Sequence, residues 1–246
     1  MSFYVLLFIP LLYGGVHMVE ISATHTRLAG VSTGNNMLAY SIQQSVFLAA
    51  RFLLLFLLPC LGFIVDRGVD LHVYQWTIHS ALLLASLLSL LVFSQRRWVL
   101  GYYVGVIHAY HRTGNMVGAL LSRLFHKPDL GENASFMLPQ IWSNRHARGI
   151  LVKSMVVYSI YATGIFISFY FALIFQDYRA SISQMSGIVN AAAALILTFY
   201  IEPAISKSID AESDDAKTLI YAMIVGRIIG VSVISHFIVF AAFIYN

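Results

Sequence analysis

Four charged side chains, Glu20, Arg51, Glu202 and Arg227, lie within or at the edge of apolar stretches that are long enough to cross a membrane. Placing a charge in hydrocarbon costs several kcal/mol, so such residues are retained mostly where they face a partner or a polar pathway. Polar side chains accompany them in the same stretches: His17, Gln43, Gln44, Asn190 and His236. We therefore take the intramembrane charges as the candidate functional groups.

The two arginines suit a phosphate ligand. A guanidinium stays protonated and presents a planar fork of N–H donors that matches phosphate oxygens, so Arg51 and Arg227 together could bind a diphosphate. Glu20 and Glu202 would neutralise the arginines in the empty state and then release them or take up a proton. His17 and His236 are further candidates for charge pairing or coupling: both lie in the same stretches. An alternative stays open, in which each Glu–Arg pair only locks two helices together.

The spacing of these charges occurs twice along the chain. Glu20 precedes Arg51 by 31 residues, and Glu202 precedes Arg227 by 25 residues, with the glutamate ending one span and the arginine inside the next. This pattern suggests a parallel relation between the first and the last pair of helices. It associates Glu20 with Arg51 and Glu202 with Arg227.

The composition is that of an all-α polytopic integral membrane protein. Of 246 residues, 59% are hydrophobic and 11% are charged, with a mean hydropathy of +0.77, whereas a soluble domain carries roughly a quarter of charged residues. A single transmembrane domain, 1–246, is predicted, with a cytoplasmic connection at 95–149. Its six spans are expected near 3–22, 37–65, 76–94, 150–175, 184–206 and 218–245.

The basic residues predict the orientation. Ten lie in the first, third and fifth connections: Arg27, Arg96, Arg97, Arg112, Arg123, Lys127, Arg145, Arg148, Lys207 and Lys217. Only Arg67 and Arg179 lie in the second and fourth. Because cytoplasmic loops are enriched in Lys and Arg, the first group is expected in the cytoplasm and both termini outside. This distribution also argues against nucleic acid as a partner. The polar stretch 24–34 is expected to be a cytoplasmic loop, with Glu20 and Glu202 near the cytoplasmic ends of their spans.

The long third connection contains an amphipathic segment at 98–125. Helical spacing gathers its polar residues on one side: His108, His111, Arg112, Asn115, Ser122 and Arg123. Such a helix is expected to lie in the membrane interface with its cationic side toward lipid phosphates, or to fold inward against the bundle. A direct contact of this side with substrate is the alternative function.

Two further patterns concern helix packing. The aromatic residues of the fourth span are interpreted as interface anchors, with lining of a pathway as the alternative. Gly226 and Gly230 are four residues apart, and Arg227 lies between them. The two glycines are predicted to let the backbone of another helix come close.

Known catalytic patterns are not found in the sequence. His108 and His111 are three residues apart and lack the glutamate of a His-Glu-x-x-His zinc site. The sequence has no Gly-x-Ser-x-Gly elbow and no Walker loop. No metal and no cofactor are therefore expected, and the chain is not predicted to be an enzyme.

The order of these motifs resembles a known family. The segment 17–34, an arginine in the second span, the Glu202–Pro203 pair and the segment 226–230 are similar to the Amj-type alternate lipid II flippases of bacteria. The chain departs from that family's expected pattern at Ala50 and Gly226, which stand where a serine is expected before each arginine. Glu202 stands where an aspartate is expected, and Ser32 stands where a basic residue is expected.

The resemblance implies a flippase that moves the undecaprenyl-diphosphate-linked peptidoglycan precursor from the cytoplasmic to the periplasmic leaflet of the inner membrane. The implied partners are this lipid-linked saccharide and membrane lipids, while a homo-oligomer or cell-wall synthesis partners stay open. We expect the diphosphate to engage a set of basic residues on its route: Arg27, His108, His111, Arg112, Arg51 and Arg227. A flippase for another polyprenyl-linked saccharide, or a membrane enzyme acting on such lipids, is the alternative.

Overall fold

The computed structural model describes residues 2–128 and 138–244, and every element in this part of the chain is helical. The α-helices are α1 Ser2–Thr33, α2 Asn36–Asp66, α3 Leu71–Ser94, α4 Arg96–Thr113, α5 Met116–Arg123, α6 Leu138–Ser143, α7 Arg145–Ile174, α8 Arg179–Ile196, α9 Glu202–Asp210, α10 Ala216–Ile229 and α11 Ser235–Phe243. The predicted all-α membrane fold is confirmed. The predicted residues 129–137 of the third connection, and Met1 and 245–246, lie outside the described residues.

Six helical stretches are long and apolar enough to cross a membrane. They are Leu6–Thr33, Asn36–Asp66, Leu71–Ser94, Arg145–Ile174, Gln176–Asp210 and Ala216–Phe243. The fifth stretch joins α8 to α9 through a π-helical segment, Leu197–Ile201, and the sixth joins α10 to α11 through another, Gly230–Ile234. Because Pro203 lacks an N–H and crowds the preceding turn, it accounts for the widened helix before α9. The fifth span continues past Pro203 to Asp210, beyond its predicted end.

The first helix is longer than predicted, because it extends to Thr33. The prediction of a loop at 24–34 is therefore wrong. The Thr24 hydroxyl donates to the Glu20 carbonyl, and the Thr26 hydroxyl donates to the Ala23 carbonyl. Their polar side chains are therefore satisfied inside the helix, which ends only at Gly34 with a φ of 70°. Glu20 lies 13 residues before Thr33, about 20 Å from that end of the helix. It is a mid-span residue rather than one near the end.

Two helices form the centre of the bundle. Helix α1 packs against α2, α3, α4 and α10, while α7 packs against α8, α10 and α6. Helices α2 and α8 lie at the flanks, where they expose large apolar side chains: Leu48, Phe52, Leu55, Phe56, Ile188 and Leu195. In a membrane protein such exposed apolar flanks face lipid.

The predicted glycine contact is confirmed. A Cβ added at Gly226 would lie 2.6 Å from the carbonyl oxygen of Leu151, and one at Gly230 would lie 2.6 Å from that of Met155. Only hydrogen fits at these positions, so the backbones of the sixth span and α7 touch directly. This seam fixes the position of Arg227.

The amphipathic segment at 98–125 forms two helices, α4 and α5, and its apolar side packs against the bundle. Val106 and Ile107 are fully buried, and the Tyr103 hydroxyl lies 3.1 Å from the Ser22 hydroxyl of α1. Burial raises the pKa of the Tyr103 phenol. The apolar side of the segment therefore packs against the bundle, with His108, His111 and Arg112 on its exposed side. Its predicted position in the membrane interface stays a prediction.

Candidate functional site

A central cavity of about 410 Å³ lies between α2 and α8. Its floor is formed by α1, α7 and α10, and its lining residues are Tyr13, Val16, His17, Glu20, Phe47, Arg51, Leu54, Tyr158, Tyr161, Ile165, Gly187, Asn190, Ala191, Ala194, Leu197 and Arg227. Three of the four charges singled out from the sequence thus share one cavity.

The charged residues of the central cavity lie near the middle of their spans. Arg51 is 15 residues from either end of α2, which is about 22 Å along the helix. Arg227 is 11 residues from the start of α10, about 16 Å. Together with the depth of Glu20, these positions place the charges far from both ends of the bundle.

Arg227 pairs with Glu20. Its guanidinium donates to the Glu20 carboxylate, and it also lies over the Tyr158 ring, 4.6 Å from the centroid. Arg227 is buried, while 25% of the Glu20 side chain is exposed. The predicted association of Glu202 with Arg227 is therefore wrong, since α10 packs against α1 and brings Arg227 to Glu20. The carboxylate is the more accessible partner of this pair.

Arg51 differs from Arg227 because its side chain is exposed and has no ion-pair partner among the described residues. Its side chain lines the central cavity and forms no ion pair or hydrogen bond with any residue in the described ranges. Two other polar atoms in the lining, His17 Nδ1 and Asn190 Oδ1, are buried without a hydrogen-bond partner in the same part of the chain. The cavity wall therefore has unused hydrogen-bonding capacity.

Three tyrosines, Tyr13, Tyr158 and Tyr161, line the central cavity. Tyr158 and Tyr161 line the cavity from the middle of α7, so the interpretation as interface anchors is wrong for these two. Tyr13, which sequence reasoning missed, donates its hydroxyl to the Ala162 carbonyl at 2.8 Å. The signal was its spacing, because Tyr13, His17 and Glu20 fall on one face of a helix.

A second cluster lies beneath the cavity, toward the end of the bundle that carries α4. We call it the inner contact cluster: Arg27, Tyr40, Glu202 and Ser206. An Arg27 guanidinium nitrogen lies 3.6 Å from a Glu202 carboxylate oxygen and donates to the Ser206 hydroxyl at 3.0 Å. The guanidinium also lies over the Tyr40 ring at 4.9 Å. Because Arg27 comes from α1, Tyr40 from α2 and the others from α9, this cluster joins three helices.

The inner contact cluster continues the helix faces that line the cavity. Arg27 follows Glu20 by two helical turns, and Tyr40 precedes Phe47 by two turns. Through Arg27, it therefore links α2 to the fifth span at that end of the cavity. Only 5% of the Arg27 side chain and 19% of the Glu202 side chain are exposed.

An outer ion pair joins the same two spans at the opposite end of the bundle. The Arg179 Nε lies 3.5 Å from an Asp66 carboxylate oxygen, linking the end of α2 to the start of α8. Both side chains are exposed, at 46% and 66%. The central cavity thus lies between two contacts of the same pair of spans.

The remaining predicted residues lie away from the central cavity. His236 Nδ1 lies 3.4 Å from His79 Nδ1 of α3, with the two rings stacked 5.7 Å apart, so His236 does not join Glu20 or Glu202. His111 Nε2 lies 2.9 Å from Asn35 Oδ1, in the turn between α1 and α2. The exposed side of α4 is thereby placed beside the α1–α2 turn and is not brought together with Arg51 or Arg227.

The chemistry available in the central cavity is that of anion binding. Guanidinium groups, tyrosine rings and an amide face the space, with one carboxylate that is held by Arg227. In the described part of the chain, no three His, Cys, Asp or Glu side chains are grouped so that they could hold a metal ion. An anionic group entering the cavity would find donors already positioned.

Comparison with known proteins gives one result. No curated protein and no solved structure matches the chain. A family model does match, over residues 12–245: Amj, described as "Alternate to MurJ". The match covers all six membrane-length stretches nearly in full, and the chain belongs to the Amj family.

Proposed function

We propose that this protein is a flippase that moves lipid II, the undecaprenyl-diphosphate-linked peptidoglycan precursor, from the cytoplasmic to the periplasmic leaflet of the bacterial inner membrane. Membership of a family described as an alternate to MurJ supports this class of activity. The concentration of basic residues at the α4 end supports a cytoplasmic position for that end, with both termini in the periplasm.

The observation that carries the proposal is the state of Arg51. Arg27 and Arg227 each have a carboxylate partner. Arg51 has none among the described residues and faces a cavity in the middle of its span. Because an unpaired charge at this depth is costly, its retention is explained if an anionic ligand completes it. A diphosphate supplies such a ligand.

The groove also matches the amphipathic nature of a lipid-linked saccharide. Its floor carries the charged and hydroxyl groups, while the outer surfaces of α2 and α8 expose apolar side chains. The diphosphate would lie against Arg51, the saccharide would occupy the hydrated groove, and the prenyl chain would stay in lipid. The volume of about 410 Å³ suits the diphosphate and its nearest groups, so the groove widens to admit the whole saccharide.

Widening requires the inner contact cluster to separate. The π-helical segment Leu197–Ile201 lies between α8, which lines the cavity, and α9, which carries Glu202 and Ser206. A π segment has weakened backbone hydrogen bonding and accommodates a change in helix direction. Movement of α9 about this segment would free Arg27 from Glu202 and expose it to the incoming diphosphate from the cytoplasm.

Glu20 is the proposed coupling group. It holds Arg227 in the empty state and is partly exposed to the cavity. Protonation of Glu20 would remove the negative charge that holds Arg227, which could then join Arg51 on the diphosphate. The sequence has no nucleotide-binding loop, so we assign the driving force to an ion gradient or to removal of the product in the periplasm.

The substrate class is tested in cells. In bacteria depleted of their other lipid II flippases, labelled lipid II is measured in each leaflet, with and without this protein. We expect it to restore accumulation in the periplasmic leaflet, and Glu20→Gln to reduce the rate about tenfold or more. The matched control is Asp70→Asn, which removes a carboxylate that caps α3 outside the cavity.

Unchanged leaflet distribution with normally expressed protein would contradict the lipid II assignment. Repeating the assay with another polyprenyl-linked saccharide distinguishes the alternative cargo. Chemical conversion of the labelled lipid, detected by mass spectrometry, would instead favour a membrane enzyme.

A further inference from the structure

A second hollow, of about 740 Å³, lies at the α4 end of the bundle between α7, α9 and α10. We call it the basic hollow, because Arg145, His146, Lys153 and Lys207 all line it. None of its lining residues lines the central cavity. The two spaces are therefore separate sites on the protein.

The cations of the basic hollow lack ion pairs within the described part of the chain. Arg145, His146, Lys153 and Lys207 form no ion pair with any residue of the described ranges. Asp215 is the single carboxylate in the lining. Among the lining residues alone, three permanent cations and one carboxylate sum to +2 when His146 is neutral, and Asp210, Glu212 and Asp214 adjoin this lining in the sequence. Like charges gathered around one space repel each other unless an anion lies between them.

The cations lie at two depths. Arg145 and His146 begin α7, and Lys207 lies three residues before the end of α9. Lys153 is eight residues along α7 from Arg145, about 12 Å deeper. Its ammonium lies 5.8 Å from the centroid of the Tyr200 ring, in the π-helical segment of the fifth span.

Apolar residues also line the basic hollow. Ile150, Ala204 and Leu219 line it together with the cations, and Ile150 lies between Arg145 and Lys153 along α7. The hollow therefore offers both positive charge and hydrocarbon contact, the combination that a phospholipid requires. A soluble anion would make no use of the apolar residues.

We infer that the basic hollow is a binding site for the phosphate of an anionic phospholipid headgroup in the leaflet at the α4 end of the bundle. Lys153 and Lys207 hold the phosphate oxygens from α7 and α9, and Arg145 and His146 extend the site at the surface. The bound lipid bridges α7 to α9, the helix that carries Glu202. This inference depends on the charges and lining of the hollow and is independent of which lipid the central cavity carries.

The test uses full-length protein purified in detergent. Binding of phosphatidylglycerol and of phosphatidylcholine is measured by native mass spectrometry for the wild type and for Lys153→Gln/Lys207→Gln. The control is Lys127→Gln/Arg148→Gln, which also removes two exposed cations, one of them in α7, without touching the hollow. Thermal unfolding of each variant establishes that it is folded.

We expect phosphatidylglycerol to bind the wild type about tenfold more tightly than phosphatidylcholine, and the Lys153→Gln/Lys207→Gln variant to lose this preference. The control pair keeps it. Ala211→Glu, which places a carboxylate in the lining without removing a cation, should weaken phosphatidylglycerol in the same way. Equal losses in the two double variants, or no preference in the wild type, would overturn the inference.

Inorganic phosphate is the competing source of the same chemistry. Phosphatidylglycerol that stays bound in excess inorganic phosphate identifies the lipid as the ligand. Displacement of the lipid by inorganic phosphate, with the same sensitivity to Lys153→Gln/Lys207→Gln, overturns the lipid assignment in favour of a free phosphate.

Discussion

The two ends of the groove between α2 and the fifth span are held in different ways. At the α4 end, the inner contact cluster joins three helices through the buried Arg27 side chain. At the opposite end, the outer ion pair of Asp66 and Arg179 joins two helices and is exposed. Removing one member of a buried pair costs about 3–5 kcal/mol, whereas an exposed pair contributes about 0–1 kcal/mol. A single substitution is therefore expected to cost more at the inner end of the groove than at the outer end.

For the flippase that we propose, this difference has a consequence. Breaking the inner contact cluster leaves a buried charge unless a new partner arrives, whereas the exposed outer ion pair separates at little cost. Opening the inner end needs a contribution from the ligand, because Arg27 must exchange Glu202 for another anion. A diphosphate arriving at that end can make this exchange.

The largest effect is expected at the inner end. Arg27→Ala leaves the Glu202 carboxylate buried without its cation and should lower the free energy of unfolding by about 3 kcal/mol. It should also raise the rate at which Ala194→Cys, placed in the central cavity, is labelled by a thiol reagent from the cytoplasmic side in a Cys60→Ser background. Chemical denaturation in micelles and labelling kinetics measure the two quantities.

The double variant Arg27→Ala/Glu202→Ala is the control for this experiment. Because it leaves no lone charge, stability should return toward the wild type while fast labelling remains. Slow, unchanged labelling of Ala194→Cys in both variants would contradict the assignment of the inner contact cluster as the closure.

An intermediate effect is expected at the seam between α7 and the sixth span. Gly226→Ala places a Cβ 2.6 Å from the Leu151 carbonyl oxygen. This overpacking should lower the free energy of unfolding by about 1–3 kcal/mol. The matched control is Gly62→Ala in α2, where a Cβ meets open space among the described residues. A gain of about 0.5–1 kcal/mol is expected there, from better helix propensity. Equal changes at the two glycines would mean that the seam is not the rigid support of Arg227.

The smallest effect is expected at the outer end. Arg179→Ala removes an exposed partner and should change the free energy of unfolding by less than about 1 kcal/mol. Raising the salt concentration should abolish even this difference, since exposed charges are screened. A loss as large as that of Arg27→Ala would remove the asymmetry between the two ends.

Much of the fold could be predicted because the signals are local. Hydropathy over about 20 residues identifies a span, and the interval between Gly226 and Gly230 identifies a close contact whatever the partner helix is. The loop predicted at 24–34 was wrong because polar side chains alone do not end a helix. Thr24 and Thr26 are satisfied by the carbonyls of the preceding turn, so polarity did not end the helix.

The pairing of charges could not be predicted because it depends on which helices are neighbours. The sequence associates Glu20 with Arg51 and Glu202 with Arg227, whereas the structure pairs Glu20 with Arg227 and Glu202 with Arg27. Once α1 packs against α10, the spacing along the chain no longer decides the partner. Arg51 is left unpaired among the described residues, a fact that no sequence pattern contains. The roles assigned to these residues in binding and coupling stay predictions.

The most direct test of the central claim is binding of lipid II to the purified protein. Equilibrium affinity is measured for the wild type, for Arg51→Ala and for Arg67→Ala, which removes a cation from the end of α2 outside the cavity. Loss of a charge-assisted contact of about 1.5–3 kcal/mol predicts roughly 10- to 100-fold weaker binding for Arg51→Ala, with Arg67→Ala unchanged. Wild-type affinity in a folded Arg51→Ala variant would contradict the claim that the unpaired Arg51 in the central cavity receives the diphosphate.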